Sequence, residues 1–253
     1  MQIKVTRRFT KNLTLSADYT YSKNNDLSDT DDTFAAVRDR FHPKLDYGPT
    51  GWDRPHVFNF NYVYDFPDFH NKSSFVRHAL GGWESSAVIR AWSGTPFSLT
   101  CGGNSGTSGG GAGSAASPLC DYVGTGAMYA PGHKDPNTGS LIQWINPFVF
   151  AQPQPGSIGN AHRNEFHGPG YQNWNLSIFK NFVFAESRRI QLRLETFNTF
   201  NHIQFGGDNG GVNNSISTPA AGQIPTLTTV GNSGKLNSAR DPREIQLGAK
   251  FYF

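Results

Sequence analysis

The sequence predicts an all-β chain, an antiparallel transmembrane β-barrel segment of about seven strands, incomplete as a barrel, with long extracellular loops. Three observations predict it. The final stretch alternates strictly, with Ile245, Leu247, Ala249, Phe251 and Phe253 apolar and Glu244, Gln246, Gly248, Lys250 and Tyr252 between them. Period two is a strand with one apolar face. An aromatic terminal edge is an aggregation hazard in water but the ordinary last strand of an outer-membrane barrel, so Phe251 and Phe253 read as a barrel-assembly signal. Composition agrees: hydrophobic residues are 36%, charged residues 16% and mean hydropathy −0.50, which leaves no run of about twenty apolar residues for a membrane helix. Aromatics nonetheless reach 13%, with 28 glycines, as expected where only alternate residues need be apolar. Finally, short turns alternate with long polar stretches along the chain.

In chain order, Ile3, Val5 and Phe9 alternate with Lys4, Thr6 and Arg8, and Arg7 breaks the apolar set near its end. A tight turn at Lys11-Asn12 leads into Leu13, Leu15, Ala17, Tyr19 and Tyr21, which alternate without error, so the two runs form a hairpin. Residues 22–55 are polar, with an acidic cluster at Asp26, Asp29, Asp31 and Asp32, and read as a long loop. From His56 to Phe66 the faces separate most sharply. Phe58, Phe60, Tyr62 and Tyr64 are expected to face lipid, with Asn59 and Asn61 toward water. Stacking aromatics against mostly polar residues over ~35 Å of strand suits lipid outside and water inside better than a protein core.

A connection through Gly81-Gly82 precedes a weaker strand, Trp83 to Ser93. Residues 94–171 hold no amphipathic strand of membrane length and read as a structureless loop, which counts against a compact soluble domain. Within it Cys101 and Cys120, the only two cysteines, flank the Gly/Ser tract 102–117. They lie on the oxidising side and are predicted to be bonded. Two strands follow, Asn173–Phe184 and Arg189–Thr199, joined at Glu186-Ser187. The first carries Lys180 among Trp174, Leu176, Ile178 and Phe182, a mismatch that a bulge near Phe179 would only partly repair. Residues 201–237 read as another polar loop.

With the last strand ending in the periplasm, the turns at Lys11-Asn12, 67–81 and Glu186-Ser187 are periplasmic, and the loops 23–55, 94–171 and 201–239 are extracellular. Bacterial single-chain barrels have even strand counts of eight or more, so residues 1–253 are expected to be the C-terminal portion of a larger barrel. Met1 precedes no apolar secretory core, and because a barrel must be exported the start is expected upstream.

Other chemistry finds little support. A net charge of +3 without a basic stripe does not point to nucleic acid. Gly106 and Gly109-Gly110-Gly111 lack the Lys-Ser/Thr and strand-to-helix setting of a phosphate loop and read as flexible chain. His162, Glu165 and His167 match no zinc spacing. The Asp26–Asp32 cluster lacks the Gly and terminal Glu of a calcium loop and reads as solvated. No nucleophile elbow is present. The expectation is no enzyme, no metal and no cofactor.

Several motifs together resemble the C-terminal third of TonB-dependent outer-membrane receptors of the Oar-like type. They are Gly81-Gly82-Trp83, Ser93-Gly94-Thr95-Pro96-Phe97, Gly159-Asn160-Ala161-His162-Arg163-Asn164, Gly168-Pro169-Gly170, Asn173 to Phe182, Arg193 to His202 with Gln204-Phe205-Gly206, Ala239-Arg240, and Ile245 to Gly248. The resemblance covers most of 47–253. It implies a barrel of about 22 strands with a plugged lumen, powered through a TonB complex that contacts the plug. Here the plug and the early strands are absent, so they are expected as partners. Outer-membrane lipid, the outer-membrane assembly machinery and an unidentified ligand complete the set.

Two function classes stay open. One is a receptor and transporter segment whose loops capture a ligand, with Trp92, Trp144, Arg163 and His167 as candidate contacts. The other is a non-transporting surface adhesin or a secreted carbohydrate-binding β-sandwich. Detergent dependence separates a membrane wall from a soluble sandwich.

Overall fold

A computed structural model describes residues 1–9, 12–27, 38–39, 41–69, 71–102, 119–134, 142–184, 188–206 and 210–253. The Gly/Ser tract from 103 onward, Asp29, Asp31 and Asp32, and the turn residues Lys11, Glu186 and Ser187 lie outside the described residues.

Seven long strands form one antiparallel sheet in chain order. They are β1 (Gln2–Phe9), β2 (Leu13–Tyr21), β3 (His56–Asp65), β4 (Trp83–Trp92), β5 (Tyr171–Val183), β6 (Arg189–Phe197) and β7 (Glu244–Tyr252). Short connections lie at one end of the sheet and long ones at the other. The β-sandwich alternative does not hold, because among the described residues no second long sheet faces this one.

Register decides what each face presents, because a one-residue slip would exchange the faces. Val5 pairs with Ala17, Ala17 with Phe60, Phe60 with Ile89 and Ile89 with Trp174. The next row runs Leu15, Tyr62, Ala87, Leu176, Thr196 and Ile245. On the opposite face Thr6, Ser16, Asn61, Val88 and Asn175 line up, as do Lys4, Asp18, Asn59, Arg90 and Asn173. Every strand's alternation is thus in phase with its neighbours', giving the wall one mostly apolar and one mostly polar face.

No bulge interrupts β5 near Phe179. β5 pairs without a break along both neighbours, so Lys180 stays in the apolar row between Trp83 and Leu192. It is accommodated by its ammonium. Nζ donates to the carbonyls of His78 (2.7 Å), Ala79 (3.2 Å) and Gly81 and lies 5.0 Å from the Trp83 ring centre. The carbonyls of His78 and Ala79 belong to the last turn of α1 (Ser74–Leu80), a helix inside the connection between β3 and β4.

The wall has almost no interior. The large fully buried side chains, among them Phe97, Leu99, Ile145, Phe150, Phe166 and Ile216, all lie in the long connections. The expectation that 94–171 is structureless is therefore corrected. This connection and the one after β6 pack together around one hydrophobic core, which includes Cys101, Cys120, Val149, Val212 and Leu236.

Candidate functional site

The candidate site is this cap of folded loops and the sheet end beneath it. Its ladders are two to six residues long, too short to give a periodic sequence signal. Pro96–Phe97 pairs with Phe166–His167, Asp121–Tyr122 with Phe150–Ala151, and Tyr129–Lys134 with Ile142–Ile145. Thr100–Cys101 pairs in parallel with Ser215–Ile216 and so joins the two loops. Cys101 and Cys120 are disulfide-bonded and fully buried at the centre of the core.

Polar side chains fasten the first long loop to the second. Arg38 places Nε 2.5 Å from the Asp46 carboxylate and donates Nη1 to Ala161 O at 3.1 Å. Arg163, with only 12% of its side chain exposed, donates to the carbonyl of Asp46 at 2.9 Å and to the backbone and carboxylate of Asp26. Asp26 is therefore an ion-pair partner, with 35% of its side chain still exposed. Asn164 adopts φ 53° and donates Nδ2 to Pro49 O at 2.8 Å.

Several stretches that carried the family resemblance are packing devices. A Cβ on Gly94 would fall 1.8 Å from Gly168 O, so only glycine lets these two segments touch. Asn198, at φ 49°, exchanges two hydrogen bonds with the backbone of His202, and its own N–H donates to Asn175 Oδ1 at 3.0 Å. Gln204 closes the same turn by receiving the Gln172 N–H at 3.0 Å.

The four contact candidates fall in different places. Trp92 stacks on Tyr171 with ring centres 3.9 Å apart and planes 11° from parallel, at the cap end of the polar face. The Arg54 guanidinium lies 5.3 Å from the Trp92 ring centre and Arg240 lies 5.6 Å from that of Tyr171. The result is a four-membered cation and aromatic stack that runs from the loop before β3, across the ends of β4 and β5, to the loop before β7. Sequence reasoning missed Arg54, Tyr171 and Arg240, because only register brings them together. Trp144 packs against the cap core and donates Nε1 to His167 O at 2.8 Å. Arg163 lies inside the loop assembly. His167 is half-buried, and burial holds its imidazole below the usual histidine range, opposed by the charge of Asp53. Tyr129, whose hydroxyl receives the His167 N–H at 2.8 Å, is pushed up by burial.

His162 and Glu165 meet through the His162 backbone N–H, which donates to the carboxylate at 2.9 Å. Among the described residues no three His, Cys, Asp or Glu side chains are grouped as a metal site. The arrangement places two aromatic faces and two guanidinium groups beneath the packed cap.

A family model described as an outer membrane beta barrel domain matches residues 1–246. No curated protein and no solved structure matches the chain.

Proposed function

The chain belongs to the outer membrane beta barrel domain family, and from that premise we propose that it is the C-terminal wall and ligand-capturing cap of a TonB-dependent receptor of the Oar-like type. It is an outer-membrane protein, so its apolar face meets lipid and its polar face lines the lumen. The observation that carries the proposal is the folded cap: two long loops share one core above the lumenal face, and a disulfide within the loop after β4 lies inside that core. A passive pore needs an open mouth, whereas a receptor needs a shaped one. The Arg54, Trp92, Tyr171 and Arg240 stack supplies aromatic faces and cations at that mouth.

Two further points support the reading. Some motifs of the resemblance, with Gly94, Gly168 and Asn198, fall at close loop contacts, where packing constrains the residue. Seven antiparallel strands leave β1 and β7 running the same way, so they cannot close on each other with antiparallel pairing; additional strands complete the wall, and a plug fills its lumen. The protein acts as a receptor and not as an enzyme. Its partners are lipid, the assembly machinery, the plug and, through the plug, the TonB complex.

The test compares depletion of small molecules from the medium by cells with and without the gene, each with and without a protonophore. Transport predicts a compound taken up only by energised cells that carry the gene. Absence of any such compound overturns it. The adhesin reading is favoured by the exposed Phe41, Tyr47 and Trp52 of the first long loop, and it predicts gene-dependent attachment to surfaces without uptake.

A further inference from the structure

The short-turn end of the wall carries a feature that ligand capture does not use. α1 has an apolar side of Phe75, Val76, Ala79 and Leu80 and a polar side of Ser74, Arg77 and His78, by the 3.6-residue period. None of its residues is buried against the protein, and Phe75 is 82% exposed. In water such a helix would be marginal, since seven residues fall well short of the ~12–15 that an isolated helix needs.

The helix is fixed to the lipid side of the wall. Lys180 and Trp83 both belong to the apolar row of the sheet. Lys180 donates to the helix's last carbonyls, and Trp83 donates Nε1 to Ala79 O at 3.0 Å. The helix therefore lies outside the barrel wall at the periplasmic rim, where acyl chains meet headgroups. Between it and the end of β5 is a cavity of about 330 Å³ lined by Arg77, His78, Asp68 and Phe182 among others. The cavity carries both signs of charge. Asp68 Oδ1 accepts the Gly82 N–H at 3.2 Å, which fixes its carboxylate at the cavity wall. Lys72 stands two residues before the helix, exposed.

We propose that α1 and this cavity form a phospholipid site for an inner-leaflet aminophospholipid, with the phosphate toward Arg77, the primary ammonium toward Asp68, and the acyl chains along Phe75 and Leu80. An amphipathic helix at an interface gains from burying its apolar side in the acyl boundary while its cations meet phosphate. A primary ammonium donates hydrogen bonds to a carboxylate, which a trimethylated one cannot. The site rests on outer-membrane placement and is independent of whether the receptor transports anything.

The test replaces Phe75 with p-benzoyl-phenylalanine in the full gene product, reconstituted in vesicles of equal parts phosphatidylethanolamine, phosphatidylcholine and phosphatidylglycerol. Irradiated adducts are then identified by mass. Adducts to phosphatidylethanolamine should exceed those to phosphatidylcholine about fivefold, the factor that one net hydrogen bond supplies. Asp68→Asn, which keeps an acceptor for the Gly82 N–H, should abolish that preference, and Arg77→Gln should lower total lipid adducts. The same photoprobe at Phe60, on the bare wall, should capture lipids in their bulk proportions. The photoprobe at Leu80 repeats the measurement if position 75 disturbs folding. Bulk proportions at both helix positions, or adducts to polypeptide in their place, overturn the proposal.

Discussion

Single side chains decide whether the local structure holds, and two of them have measurable consequences. Lys180 is 6% exposed in an apolar row, and its charge is met by helix carbonyls. Lys180→Met should release α1 and lose about 1.5–3 kcal/mol, the range for a hydrogen bond to a charged group. Urea unfolding in lipid vesicles reads the loss, and periplasmic protease cleavage within 74–80 reads the release. His167 bears on pH. Its folded pKa is lowered by burial, so between that value and its unfolded value the unfolded chain binds more protons and stability rises with pH. The cap should therefore loosen as pH falls below about 6.5, and His167→Gln should flatten the response. Amide exchange over 162–168, followed against pH, checks both. The pairing of Lys180 was not legible in the sequence, because its partners are backbone carbonyls about a hundred positions away.

At the scale of elements, the seven strands were legible because each spans the membrane with period two, and the pattern repeats over eight residues or more. Their ends moved by only one or two positions, as at β5, which begins at Tyr171 and not Asn173. The cap was not legible. Its strands of two to six residues carry no period, and its buried residues are separated by glycine, proline and asparagine. Two predictions belong here. Arginine placed in turn at each position from 57 to 65 of β3 should give a two-residue rhythm in folding yield. The even positions, with Phe58, Phe60, Tyr62 and Tyr64, should lose roughly 2–4 kcal/mol near the midplane and the odd ones much less. A flat profile would contradict the lipid-facing assignment. Cys101→Ser with Cys120→Ser should weaken the cap by about 3 kcal/mol in the chain-entropy account, seen as faster shaving of the cap by added protease, with the wall unaffected.

For the whole molecule, the outer edges of β1 and β7, which pair with no strand among the described residues, govern behaviour in lipid, where each unsatisfied backbone group costs several kcal/mol. Residues 1–253 expressed with a signal peptide should accordingly fail to give a heat-modifiable, protease-resistant monomer. Recovery of such a monomer on a cold gel would refute the larger-barrel reading. The cap adds a constraint of a different kind. Asn214 donates Nδ2 to Ser98 O at 2.9 Å across 116 residues of chain, and β5 and β6 lie between these two loops. The loops can meet only if those strands have already paired in the correct register. A slip of one position in β5 would turn Tyr171 away from Trp92 and draw Phe166 out of reach of Phe97. Closure of the outer surface thus proofreads the wall beneath it, and a misthreaded copy would arrive at the cell surface with the core around its disulfide laid open.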